Sequence, residues 1–278
     1  MVRGENIGPV VIRWAERERS VRALVLIGSR VQEEGARAAD EFSDWDFQVV
    51  TARPALFETR EWMRDLGLGE PLAYVVRPGR LGSATKVSVV LRAGEIDLVV
   101  LPVGRLRQAK LLLQLGLAPR IAPLAQALGG LATVLRGGYR FVKGERDWGA
   151  FFRRVAAEIS PPRLNDDDVR RLAEGFVCDY VSTRQKLARE EFLAAQRWLH
   201  HQLAEVNFQL FHELSQRRGA ATLPDARRLE RLASEWRDYA VSATPTQESL
   251  RAATEKSATT LRGLMHALVG ETWHWPEV

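Results

Sequence analysis

A single cysteine, Cys178, stands in the 278 residues, so no disulfide can form within the chain. That usage fits a reducing compartment, and a cytoplasmic protein is expected. No stretch approaches the ~20 uninterrupted apolar residues of a membrane-crossing helix. The N-terminal run MVRGENIGPVVIRWAERERS carries charges throughout, so neither a membrane span nor a secretory signal is expected. Internal repeats and low-complexity tracts are lacking as well. The five histidines have no metal-ligand spacing with the cysteine. His200 and His201 are adjacent and therefore point to different helix faces, which argues against a paired ligand.

What remains is ordinary globular sequence, 46% hydrophobic and 27% charged, long enough for one large domain or two of common size. The net charge of +5 is unevenly placed. Residues 1–150 hold 22 Lys and Arg against 17 Asp and Glu, while residues 151–278 hold 18 of each. The excess reads either as a site for a polyanion or as an arginine-rich surface.

Read in order, the chain predicts an amphipathic helix over 6–19 and a strand over 21–27 that feeds Gly28. A helical linker and a second strand over 44–51 follow. Pro54 opens a helix to Leu66, and strands are predicted over 72–76, 86–91 and 96–100. The tight turn at 92–95 makes the last two an antiparallel hairpin, so the sheet is mixed. Helical pattern covers 106–115 and 124–128, and Gly137-Gly138 marks a short hairpin. From about residue 147 the pattern is helical only. Asn165 to Asp168 is a helix start, because short polar side chains satisfy the free N–H groups there. A second long helix runs to Gly219 and a shorter one covers 226–236. Thr244 to Gln247 reads as a capping box with Pro245 first in the last helix, which ends near Leu268. Two domains are expected: an α/β (α+β) domain over 1–145 and an all-α bundle over 146–278.

Within the first, Asp44 and Asp46 are two apart on a strand and so share a face, opposite Trp45, Phe47 and Val49. Adjacent carboxylates repel, and a cation between them relieves this. Asp-x-Asp alone is common. Its apolar flanks, Gly28-Ser29-Arg30 after the preceding strand, and Asp97 inside the apolar run IDLVV make it informative. Gly28 lets backbone approach a phosphate, and the helix start after it would present N–H donors. If the strands are neighbours, Asp44, Asp46 and Asp97 converge on a patch suited to Mg²⁺, a hard cation that partners polyphosphates.

Gly28-Ser29, Asp44-x-Asp46 and a later-strand Asp97 together resemble the nucleotidyltransferase superfamily that includes DNA polymerase β. More narrowly, G-S-R, then D-E-F-S-D-W-D-F, then I-D-L-V-V-L-P resemble the aminoglycoside 6-adenylyltransferase (streptomycin adenylyltransferase) family, over roughly residues 20–105. A fainter echo lies in YVSTRQKLAREEF. The resemblance implies an ATP-using, Mg²⁺-dependent enzyme that moves AMP to a hydroxyl of a small molecule, streptomycin being the best single acceptor. It implies phosphate contacts from Gly28, Ser29 and Arg30, metal ligation by Asp44, Asp46 and Asp97, and a further phosphate contact from Lys143. A solvated loop lysine is the plainer reading of Lys143, and the same holds for Lys86 and Arg92. The acceptor's general base would come from the helical half, with Glu174 ahead of Asp179 and Glu190. Each of the three also reads as an ordinary exposed carboxylate. Relatives carry an aromatic pair after that glutamate, where this chain has Gly175-Phe176-Val177.

Other acceptors stay open: another antibiotic, a protein side chain or an RNA end. So does a non-catalytic nucleotide-binding regulator. RNA would call for a basic track interleaved with aromatics, which the helical half lacks. No membrane partner is expected, and the protein is expected to be a monomer or weak dimer.

Overall fold

The computed structural model describes residues 7–32, 39–79 and 84–277. It divides into two compact units, Met1–Pro162 and Arg163–Val278.

The first unit is built on a six-stranded mixed sheet. In chain order it contains α1 (Ile7–Arg17), β1 (Val21–Ile27), β2 (Trp45–Thr51), a one-turn α2 (Glu61–Arg64), β3 (Ala73–Pro78), β4 (Thr85–Leu91) and β5 (Gly94–Pro102). These are followed by α3 (Val103–Gln114), α4 (Ala122–Arg136), β6 (Tyr139–Lys143) and α5 (Glu145–Glu158). The strand order is β3-β4-β5-β2-β1-β6. Only β2 and β5 run parallel among these pairs, and their register sets Asp46 directly opposite Asp97. Strand alternation sends Leu24, Leu26, Phe47 and Val49 to one face, where α1, Phe57, Trp62 and Met63 cover them. Ala23, Val25, Ile27 and Val50 face the other way, beneath α3, α4 and α5. Helices therefore lie on both faces of the sheet, and both of its faces are apolar.

Several elements differ from the sequence reading. The segment from Pro54 to Leu66 is a 3₁₀ turn at Pro54–Phe57 and then the single turn α2, not one helix. Residues 131–136 belong to α4, so no hairpin forms at Gly137-Gly138. β6 instead pairs antiparallel with β1. The helix expected after Gly28 is a 3₁₀ turn over Gly28–Val31, and the rest of the expected helical linker, 33–38, lies outside the described residues. The first unit continues past residue 145 to Pro162. The reason is α5, whose Trp148, Phe151, Phe152 and Val155 are buried in the core beneath the sheet. Each such burial is worth roughly 1.5–3 kcal/mol.

The second unit comprises α6 (Asp166–Ala188), α7 (Phe192–Trp198), α8 (Ala204–Arg217), the short turns α9 (Leu229–Leu232) and α10 (Trp236–Tyr239), and α11 (Gln247–Val269). Phe176, Leu199, Leu203, Leu210, Leu261 and Met265 form its core. Asn165 caps α6 through a capping box with Asp168. A π-helical turn, Leu199–Leu203, joins α7 to α8, so the expected single long helix carries a bulge. Two short turns replace the helix expected over 226–236. The cap of α11 is Thr246, which accepts a hydrogen bond from the Ser249 N–H. The cap therefore falls two residues after Thr244, and Pro245 precedes the helix instead of opening it. Among the described residues no helix is long and apolar enough to cross a membrane.

Candidate functional site

The parallel β2–β5 pair sits in the middle of the sheet, and its register builds the site. With Asp46 opposite Asp97, both side chains share a face and a strand level. Asp44 immediately precedes β2. One oxygen from each of Asp44, Asp46 and Asp97 lies within 4.8 Å of the others, and all three residues are half-buried. Oxygens around one Mg²⁺ at about 2.1 Å are at most about 4.2 Å apart, so small side-chain rotations close this set on an ion. The donor set, three hard oxygens, suits Mg²⁺ over softer metals.

β1 ends opposite Asp46, at Ile27, and delivers Gly28 to the same place. Gly28 has φ +78°, and a Cβ there would collide with the Asp46 carboxylate. Glycine is thus required twice, by the left-handed backbone and by the close approach. Ser29 follows in the same 3₁₀ turn.

Arg30 is engaged by the backbone just before β2. Its Nε donates to the Asp44 carbonyl at 2.9 Å and a terminal nitrogen donates to the Ser43 carbonyl at 2.5 Å. Its guanidinium lies 4.4 Å from the centre of the Trp45 ring. Arg30 is therefore a clamp on the backbone that carries Asp44. Lys143 sits opposite Leu24, three residues back along β1 from Ile27. Its ammonium donates to the carbonyls of Ala15 and Glu18, at 2.6 and 3.0 Å, where α1 ends. Burial lowers its pKa, with nearby Glu18 opposing. The structure thus brings Asp44, Asp46, Asp97 and Gly28 together, with Ser29 next in the chain, and commits Lys143 elsewhere. Glu174 is exposed on α6 of the second unit, and Glu190 is exposed with φ +61° just after that helix. Asp179, on the same helix, has its pKa raised by burial.

Three features go beyond the sequence reading, the first being the partner of Lys86, which was weighed there only as a phosphate contact or a solvated lysine. Lys86, on β4, places its ammonium 2.5 Å from Asp97 Oδ2. Tyr139 opens β6 directly opposite Ile27, and burial pushes its hydroxyl pKa up. Gln48 is fully buried two residues beyond Asp46 on the same face, and neither its amide oxygen nor its nitrogen has a partner among the described residues. The signal for Lys86 was the strand spacing. Lys86 is two residues from Ser88, which the hairpin turn sets opposite Asp97.

The site is thus a mixed sheet with two acidic residues entering one central strand, a third on its parallel neighbour and a glycine turn against them, the arrangement that the sequence motifs led us to expect. Residues 1–108 match the family model described as Streptomycin adenylyltransferase, the family to which the motifs point. That match spans β1 to β5 and contains every residue of the carboxylate cluster. Among solved structures the chain is similar to an aminoglycoside 6-adenyltransferase from Bacillus subtilis, at 12% identity and TM-score 0.42, over 99% of this chain and 94% of that one. It is also similar to a nucleotidyltransferase-like protein from Exiguobacterium sibiricum, at 9% identity and TM-score 0.35, over 95% and 76%. No curated protein matches the chain.

Proposed function

We propose that the protein transfers AMP from ATP to a hydroxyl of a small molecule, an aminoglycoside such as streptomycin being the leading acceptor. The observation that carries this reading is the convergence of Asp44, Asp46 and Asp97 beside the Gly28 turn, whose backbone packs directly against the Asp46 carboxylate. The family match over residues 1–108 supports the same reaction and the same class of acceptor.

In this reading Asp44, Asp46 and Asp97 hold Mg²⁺, which supplies charge neutralisation on the polyphosphate and at the reacting phosphorus. The Gly28 backbone, which has no side chain of its own, receives phosphate oxygens, and the Ser29 hydroxyl donates to them. Arg30 contributes by fixing the Ser43 and Asp44 carbonyls, so that the Asp44 carboxylate starts from a defined position. A hydroxyl of the acceptor attacks the α-phosphorus; a P–O bond forms there, the bond to the β-phosphate oxygen breaks, and pyrophosphate leaves. Most of the rate enhancement then comes from positioning and charge, since the chain itself forms no covalent bond. The N-terminal unit supplies the nucleotide chemistry. The hydroxyl proton passes to a base, for which Glu174 is the candidate.

Pyrophosphate release measured with each nucleotide against a panel of aminoglycosides and lincosamides tests this. The expected result is Mg²⁺-dependent release with ATP that appears only when an aminoglycoside is added. Release driven by a lincosamide alone would move the acceptor class. Silence across all nucleotides and acceptors would remove the reading.

A further inference from the structure

Asp97 is not waiting for a cation with an open carboxylate. Lys86 comes from the neighbouring strand β4, in the antiparallel pair whose register sets Ser88 opposite Asp97 and Lys86 opposite Val99. Residues opposite one another share a face, so Lys86 lies on the carboxylate side of the sheet, one level behind Asp97. From there its side chain reaches forward and its ammonium meets Asp97 Oδ2 at 2.5 Å. The two ends differ in exposure: the Asp97 side chain is 18% exposed and that of Lys86 44%. The acidic end is thus shielded from bulk water, where salt and solvent weaken a pair least, while the basic end can swing out. Arg30 and Lys143, two other basic residues of the same unit, spend their charge on backbone carbonyls.

From this we infer that Lys86 is a tethered cation that holds the place of a metal ion on Asp97 and must withdraw before Asp97 can ligate one. The inference rests on the reading of the three aspartates as a divalent-cation site. It makes Lys86 a positioning residue with a definite sign: it weakens metal binding in the empty enzyme while keeping Asp97 from repelling Asp46 across the strand pair. An ammonium at contact distance from one of three ligands competes with a divalent ion by direct displacement and by like-charge repulsion. Removing it should tighten binding about tenfold.

The test is a Mn²⁺ titration of the full-length protein without nucleotide, followed by calorimetry or by the loss of the free-ion EPR signal. Wild type, Lys86→Met, Lys86→Arg and Asp46→Asn are compared, with melting temperatures recorded in chelator and in Mn²⁺. The expected result is about tenfold tighter binding by Lys86→Met and near wild-type binding by Lys86→Arg. Lys86→Met should also melt lower than wild type in chelator and recover in Mn²⁺. Unchanged or weaker binding by Lys86→Met, with Mn²⁺ still held by wild type and released by Asp46→Asn, overturns the role of Lys86 and leaves the carboxylate site standing. No binding by wild type, or equal binding by Asp46→Asn, overturns the carboxylate site and this inference with it.

Discussion

At the scale of single residues, the site is an arrangement of small clearances. Gly28 touches the Asp46 carboxylate at a backbone angle open to glycine, so Gly28→Ala should displace that carboxylate as well as strain the turn. The expected outcome is a stability loss of about 1–2 kcal/mol in urea together with at least a tenfold fall in kcat/KM. Gln48 is the opposite case. It is a buried amide with both polar atoms unpaired among the described residues, and each such atom costs about 1–3 kcal/mol. Gln48→Met should therefore raise stability in urea by about 1 kcal/mol or more; a lower midpoint would mean that the amide has a partner in solution. The convergence of the carboxylates on Gly28 was legible in the sequence because their spacing and apolar flanks set strand pairing and shared face. The actual posts of Arg30, Lys86 and Lys143 were not. Long basic side chains reach several ångströms, and register decides what they meet.

At the scale of elements, strands were easier to read than helices. β1 matches its apolar run at both ends, and Asp97 falls opposite Asp46 because parallel pairing of two apolar strands leaves few registers. β6 does not form half of a hairpin, since a Gly-Gly pair marks a turn equally well after a helix as between strands. The cap of α11 moved from Thr244 to Thr246 for a related reason: both threonines precede the helix, and backbone geometry chooses between them. In the helical unit the entry to α6 is locked by Glu213, a buried carboxylate that accepts hydrogen bonds from Arg163, Arg217 and the Leu164 N–H. Burial alone would push its pKa up, but these donors outweigh it and hold the pKa below the ordinary 4.5. A depressed carboxylate stabilises the fold fully above its unfolded pKa and loses that contribution as pH falls through the folded value. Urea midpoints measured from pH 7 to pH 3 should therefore fall on the acid side of pH 4.5, less steeply in Glu213→Gln. At pH 7 that variant should lose about 2 kcal/mol. This is less than the 3–5 kcal/mol typical of a broken buried pair, because Arg163 remains partly in water.

At the scale of the whole molecule, the two units have separate cores, and the family match falls within the first. The sequence showed that a mixed α/β part gives way to helices. The point of change was obscured because α5 is a helix by pattern and a member of the first unit by packing. The candidate site is written in residues 28–97, where a cation-binding carboxylate set and a close backbone approach dictate residue types. The helical unit carries no comparable spacing of such residue types. The most direct test of the central claim is pyrophosphate release from ATP with Mg²⁺ and streptomycin, wild type against Asp46→Asn, with folding of both checked by circular dichroism. The expected result is release by wild type and a fall of at least a thousandfold in the variant, in line with roughly 4 kcal/mol of lost transition-state stabilisation. Release by a folded Asp46→Asn protein at the wild-type rate would contradict the account.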